Sequence, residues 1–457
     1  MAKGNGLYDW SQTGTPPKIA PHSRAKHDVL KEYIKQYVRV FSANPRMPKL
    51  TLHLVDGFSG GGIYLDKLTN QECYGSPLVI LDAVREVEAE INAERRNPFQ
   101  VAANCYFIDA DQNATSCLSD TLKKNGYASQ IDQNLHCITG MFAEKVDDVL
   151  KVIGNTGRQN AGRAIFFLDQ YGYKDVPFPT LKKILTTLPH AEIILTFAVD
   201  KLFDFFNEGD QFQGILAQLG VTEDAFQKLC EHLGQDQNTA RHYLQSDMAR
   251  IIQTDSGAKF ITRFFITSRE SNRAYWLIHL SNHEKAHAEM LKIHWEMKNT
   301  FTNYGQWGLD AFPTLLGYDP DKDPNLNGKK DQTSLFSFGD DAKELSLTAL
   351  RRDLPKLIKD AGKPVTYLQL REACAVNTPA SAELFKTAIM HAVQDSELTL
   401  KTDKGSARRS ALQITGSDII EPASQRSFFH MMDMSRKKII APTAKIINSL
   451  KGAVDRL

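Results

Sequence analysis

Along the first 300 residues, short apolar runs alternate with stretches of helical period. Leu30, Tyr33, Ile34, Tyr37 and Val38 fall on one face of a helix over residues 27–38. Short stretches rich in apolar residues at 50–55, 104–108, 136–139, 164–168 and 192–197 predict five strands. Helical patterns at 76–95, 114–124, 144–153 and 179–188 fall between them. Ser76-Pro77 gives the first of these helices an N-cap and a first-turn proline. The run AIFFL at 164–168 has no polar position, as a strand covered on both faces requires. Alternation of this kind predicts a parallel sheet flanked by helices. Residues 200–250 are helix-rich and read as an insertion, after which runs at 260–267 and 275–281 return as strands.

The rest of the chain has a different rhythm. Residues 317–339 hold Pro, Gly, Asp, Asn and Lys without a period and predict a linker. Helices over 345–359, 367–373 and 381–394 precede two short strands over 398–402 and 411–414. Three helices and then a hairpin is the winged helix-turn-helix order. The expected organisation is an extended arm over 1–24, a Rossmann-like α/β domain over 25–315, a linker over 316–342, a small α+β winged-helix domain over 343–420 and a helical tail over 421–457.

Composition narrows the classes. At 42% hydrophobic and 24% charged residues the chain reads as an ordinary globular protein. No apolar run approaches the roughly 20 residues of a membrane helix, and MAKGNGLYDW lacks the apolar stretch of a secretory signal. Six scattered cysteines include no CxxC pair, so a reducing, cytoplasmic setting is expected. The net charge of +1 is uneven: residues 343–457 carry 19 Lys/Arg against 12 Asp/Glu, or +7, leaving 36 against 42, or −6, for the remainder. A basic module on an acidic body points to a polyanion partner.

The densest chemistry follows the first strand, in Asp56-Gly57-Phe58-Ser59-Gly60-Gly61-Gly62. Glycines admit a ligand close to the backbone, and a carboxylate at a strand end accepts hydrogen bonds from ligand hydroxyl or amino groups. The Asp-x-Phe-Ser-Gly-x-Gly spacing is not GxGxxG; it resembles the glycine motif of S-adenosylmethionine enzymes more than that of NAD enzymes. The second strand ends in Asp109-Ala110-Asp111, and an acid there binds ribose hydroxyls in nucleotide-type Rossmann domains. Asp109 is the first candidate and Asp111 the second, with capping of the next helix as the competing role. Gly140-Met141-Phe142 ends the third strand and could rest an adenine on an apolar side chain. Asp169-Gln170-Tyr171-Gly172-Tyr173 ends the fourth, where amino-methyltransferases hold Asp/Asn-Pro-Pro-aromatic; Asp169 would accept a proton or hydrogen bond, and Tyr171 and Tyr173 would stack on a flipped base. The sequence has no Pro-Cys, which argues against a cytosine-C5 mechanism. A competing motif, His283-Glu284-Lys285-Ala286-His287, matches the zinc-protease HExxH but lacks a third ligand at a standard spacing, so no metal is expected.

Lys26-His27 with its helix, Asp56–Gly62, Gly75-Ser76-Pro77-Leu78, the Asp169–Tyr173 loop with Val176-Pro177, and Met290…Trp295 occur in the order and spacing of the three-Cys-motif partner family. The resemblance covers about residues 8–300, and the C-terminal module resembles the winged helix often appended to that family. The family's Asp-Pro-Phe-Gly-Tyr stands here as Asp-Gln-Tyr-Gly-Tyr. The resemblance implies a class I methyltransferase-type Rossmann fold binding S-adenosylmethionine, with Ser76 at the cofactor site. It also implies a separate partner protein with a three-cysteine motif, and a setting in phage defence or mobile elements. Lys401, Lys404, Arg408 and Arg409 around Gly405 are the candidate phosphate contacts of the wing. The expected activity is methyl transfer to DNA, RNA or a nucleotide-bearing substrate; a catalytically silent binding module is the alternative, and a zinc hydrolase the third.

Overall fold

The computed structural model describes residues 8–10, 15–19, 21–67, 69–155, 162–170, 172–206, 209–233, 237–268, 273–297, 309 and 340–423. Two compact units emerge: Met1–Lys228 with Ile251–Lys259 and Arg263–Ile293, and Leu229–Arg250 with Phe260–Thr262 and His294–Leu457. The architecture is mixed α/β with a winged-helix-like C-terminal domain.

A seven-stranded sheet forms the centre of the first unit. Its strands are β2 (Lys49–Asp56), β5 (Gln100–Asp109), β6 (Leu135–Thr139), β7 (Ala164–Leu168), β8 (Ala191–Phe197), β9 (Phe260–Ser268) and β10 (Arg273–Ser281), in the order β6-β5-β2-β7-β8-β10-β9. Pairing is parallel from β6 through β8, and β10 runs antiparallel to β8. The chain therefore builds outward from β2 on one side and then returns to build on the other. Such reversals leave a crevice beyond the carboxyl ends of the strands. The connecting helices are α1 (Pro21–Ser42), ahead of β2, then α2 (Ser76–Glu94), α3 (Gln112–Lys124), α4 (Phe142–Gly154) and α5 (Phe178–Thr187). Four helices, α6 (Val199–Phe206), α7 (Gly209–Leu219), α8 (Glu223–Leu233) and α9 (Gln237–Ser256), fill the stretch before β9, and α10 (Glu284–Glu296) follows β10.

Leu50, Leu52 and Leu54 of β2, Ile165 and Phe167 of β7, and Leu30, Tyr33 and Ile34 of α1 share one core. Lys35 and Arg39 of α1 pair with Glu90 of α2, which aligns the two helices on the sheet. Beneath α1 a fully buried polar group joins three elements: Tyr33 donates to Glu192 of β8, and His279 of β10 lies 3.0 Å from the same carboxylate. Burial without such partners would cost several kcal/mol, roughly, for a charged group.

The expected arm ends sooner than the composition suggested, because α1 already begins at Pro21. The short strand β1 (Lys18–Ile19) pairs in parallel with β3 (Ile63–Asp66), which forms a hairpin with β4 (Glu72–Tyr74). These three strands are too short for a periodicity signal.

In the second unit, α11 (Asp340–Ala361), α12 (Tyr367–Cys374) and α13 (Ala382–Gln394) pack over a sheet ordered β11-β13-β12, made of β11 (Val365–Thr366), β12 (Leu398–Lys401) and β13 (Ile419–Pro422). Thr366 and Gln369 form a capping box at α12, and Ser381 caps α13. The second wing strand is not at 411–414 as predicted. That segment is a single 3-10 turn, Ala411–Gln413, and the strand forms at Ile419–Pro422. Asp418 accounts for the delay: it accepts from the Thr415 amide at 3.0 Å and closes a turn just before Ile419. The predicted linker over 317–339 and the tail beyond 423 lie outside the described residues.

Candidate functional site

Neighbouring strands hold the glycine loop in place. The Gly57 amide donates to the Phe167 carbonyl of β7 (2.9 Å), and the Ser59 amide donates to the Ile108 carbonyl of β5 (3.0 Å). The loop thus sits across the carboxyl ends of three parallel strands. A Cβ at Gly57 would come within 2.7 Å of Leu168 and 2.9 Å of Phe142, so no side chain fits there. Gly60 and Gly62 have φ of +58° and +79°, a region that strongly favours glycine.

Two buried polar oxygens of this loop lack hydrogen-bond partners among the described residues. Asp56 is fully buried; one oxygen accepts from the Phe58 amide at 3.1 Å, and the other has no hydrogen-bond partner among the described residues. Burial pushes its carboxyl up to about 7, and the Ser76 hydroxyl and the Phe58 amide offset only part of this. The Ser59 hydroxyl is also buried and unpartnered among the described residues. Buried polar groups are normally satisfied, so two orphans in one loop call for an explanation. Ser76 is buried at the start of α2.

Asp109 accepts from the Gly60 amide and the Asp111 amide, both at 2.9 Å, which ties β5 to the glycine loop. Burial raises its carboxyl, and the two amides work against that shift. Asp111 caps α3 by accepting from the Asn113 amide. Phe142 is buried, with its ring 6.2 Å from that of Phe58, so it forms the floor under Gly57. The exposed apolar side chain at this strand end is Met141.

Asp169 does not stand alone at the end of β7. The Lys26 ammonium of α1 donates to both of its oxygens at 2.6 Å. Burial alone would raise the Asp169 carboxyl; the Lys26 charge and hydrogen bonds outweigh it and hold the group below its ordinary value. His27 lies beside this pair and is buried, which pushes it down to about 4, so it is neutral at physiological pH. The Gln170 amide donates to the Thr196 carbonyl at 3.3 Å, while its own oxygen has no partner among the described residues. Tyr173 donates to the Ala198 carbonyl at 2.5 Å and packs its ring on Phe197, which anchors it to the end of β8. Tyr171 lies outside the described residues. The sequence motifs did not mark Lys26 as the partner of Asp169, nor Gln170 and Thr196 as site groups.

The HExxH residues do not converge. His283 is exposed and pairs with His190 at 2.9 Å, whereas His287 is buried. Among the described residues, no three His, Cys, Asp or Glu side chains come together to hold a metal.

On the wing, Arg408 donates two hydrogen bonds to Asp418 (2.8 and 3.0 Å), and that carboxylate is buried. Arg408 therefore pins the wing to the domain. Lys401 pairs with Glu421 at 3.3 Å, and Lys404 and Arg409 are exposed. Of the four predicted phosphate contacts, Lys404 and Arg409 are the two with no carboxylate partner among the described residues. We expect Arg408→Ala to lower the melting temperature. A Lys404→Ala, Arg409→Ala double variant should instead keep the parent's melting temperature and shallow the salt dependence of DNA or RNA binding by about two units. The opposite assignment of effects would refute this division of roles.

The glycine loop gives a sharper expectation. Gly60→Val forces a β-branched residue to a positive φ and drives its Cβ to 2.4 Å from the Tyr64 hydroxyl. It should cost about 1–3 kcal/mol of stability in chemical denaturation; an unchanged midpoint would contradict the loop geometry.

A family model described as a GMT-like wHTH domain matches residues 317–405. No curated protein matches the chain. Among solved structures, the chain is similar to protein LPL1258 from Legionella pneumophila str. Philadelphia 1, assigned to family model DUF519, with 10% identity and a TM-score of 0.35 over 66% of this chain and 96% of that one.

Proposed function

We propose that the first unit is a class I methyltransferase-type Rossmann domain that uses S-adenosylmethionine, and that the chain modifies nucleic acid or a nucleotide-bearing substrate. The carrying observation is the glycine loop, where Asp56 and Ser59 keep buried oxygens that have no partner among the described residues, beside a backbone that leaves no room for side chains. Asp56 and Ser59 would accept from, or donate to, the polar end of the cofactor, and Asp109 would receive ribose hydroxyls on the lone pairs its two amides leave open. Phe142 and Met141 offer apolar surface at the next strand end. When bound, the cofactor supplies an electrophilic methyl group, and the transfer depends chiefly on alignment. Asp169, kept ionised by Lys26, would take a hydrogen bond or the proton that the acceptor releases.

The winged helix supports a nucleic-acid substrate through Lys404 and Arg409, which would contact phosphates and carry little base information. The three-Cys-motif partner and a role in phage defence or mobile elements follow from the motif resemblance and are part of this proposal. A binding-only module is the second reading, favoured by one observation: both Asp169 oxygens are already engaged by Lys26. Calorimetry with S-adenosylmethionine, followed by transfer of labelled methyl to DNA and RNA with and without the three-cysteine protein, separates the two. Cofactor binding without any transfer would favour the binding module, and no cofactor binding would refute the methyltransferase reading.

A further inference from the structure

The N-terminal segment reaches the glycine loop. Pro17 accepts from the Leu65 amide at 2.9 Å, and β1 runs beside β3, so the chain ahead of α1 is tied to the β3–β4 hairpin. From that hairpin Tyr64 is wedged between two glycines: a Cβ would meet its hydroxyl at 2.4 Å from Gly60 and its ring at 2.6 Å from Gly75. Tyr8 and Trp10 each set their rings 5.2 Å from Tyr64, at 72° and 75°, the edge-to-face arrangement that aromatic pairs favour.

Trp10 also explains a glycine that backbone geometry does not. Gly61 lies outside the left-handed region, yet a Cβ there would fall 2.4 to 3.0 Å from three atoms of the Trp10 ring. The middle glycine of the loop is therefore required by the arm. Tyr64 senses the same neighbourhood: burial first, then Tyr8 and the carboxylates of Asp56, Asp109 and Asp169, raise its hydroxyl well above the ordinary value, so it remains protonated. Both arm rings are only half-buried, and Trp10 lies against Gly60 and Gly61 of the same loop that carries Asp56 and Ser59.

We propose that Tyr8 and Trp10, seated on Tyr64 and on Gly60–Gly61, form one wall of the methyl-donor site. This rests on the methyltransferase reading and adds to it a ligand-contacting role for residues that precede the Rossmann unit. An apolar aromatic wall shields the donor's charged end from water and strengthens its contacts with buried carboxylates.

The test is calorimetry of the full chain with S-adenosylmethionine, together with tryptophan emission. Trp10→Ala should weaken binding about tenfold or more while keeping the parent's melting temperature, and Trp10→Phe should keep most of the affinity but lose the donor-induced change in emission. Gly61→Ala should weaken binding by displacing the ring, and the Trp10→Ala, Gly61→Ala double variant should bind no worse than Trp10→Ala alone. Donor binding unchanged or tightened in Trp10→Ala overturns the wall and leaves the methyltransferase reading standing. A parent chain that does not bind the donor overturns that reading, and the wall with it.

Discussion

A Lys26→Met chain should become roughly 3–5 kcal/mol less stable, the usual cost of removing one partner of a buried ion pair, and on the proposed function it should also lose methyl transfer. Lys26 is 5% exposed, and the Asp169 side chain retains 22%, so water can do little to replace the missing ammonium. The pH dependence has a definite sign. Asp169 titrates below its ordinary value in the folded chain, so its ionisation stabilises the fold above the unfolded value near ~4 and that stability is lost as pH falls through the folded value. Lys26→Met should remove this acid-side loss, because its carboxyl no longer has a reason to titrate low. Asp169→Asn alone leaves the ammonium unpaired and should also destabilise. The double variant Lys26→Met, Asp169→Asn buries no unpaired charge and should recover much of the stability while remaining inactive. Urea denaturation at several pH values and labelled methyl transfer measure the two effects separately. A Lys26→Met chain as stable and as active as the parent would remove the pair from the site.

That pair also marks where sequence reading stops. The five parallel strands were legible because each carries a stretch rich in apolar residues between polar turns, unbroken in AIFFL of β7 but interrupted by Thr51 and His53 in β2 and by His136 in β6, and the helices because their apolar faces repeat. Asp56, Asp109 and Asp169 were legible for a related reason: each is the first polar residue after such a run, which in a parallel sheet is the end that meets a ligand. The contact between Lys26 and Asp169 spans 143 residues and leaves no local spacing to detect. Arg408 misled for a similar reason. In a basic wing it looked like a phosphate contact, and only the fold brings Asp418 against it. Trp10 lay in a Gly- and Pro-rich stretch that reads as an extended arm, and its partner Gly61 looked like one more ligand-loop glycine. The acids differ in the same way. All three sit at strand ends, yet Asp169 is held low by a cation, Asp109 is steadied by two amides and Asp56 is left nearly bare.

Asp56 gives the clearest stability signature of the glycine loop. Its folded value of about 7 lies above an unfolded value of about 4. Between those two values the folded chain keeps a proton that the unfolded chain has released. Stability therefore falls as pH rises, by about 1.4 kcal/mol per pH unit, and levels off above pH 7. Over the whole interval this amounts to roughly 4 kcal/mol, an upper figure for one fully buried carboxyl. Asp56→Asn has nothing to ionise, so this descent should vanish from the variant's curve and appear as a pH-dependent difference between variant and parent. At pH 8 the variant should be the more stable of the two, despite losing a carboxylate; at pH 4 the ordering should close or reverse. The same substitution should weaken S-adenosylmethionine binding, because an amide cannot replace a buried anion against a cationic ligand. Stability gained while ligand affinity is lost is what a strained binding group predicts, and a purely structural carboxylate would lose both. Chemical denaturation from pH 4 to pH 8.5, run on both chains without ligand, isolates the effect of this one group. A constant difference between the two curves across that range would show that Asp56 does not titrate there, and the loop would then need another account of its unpartnered oxygen.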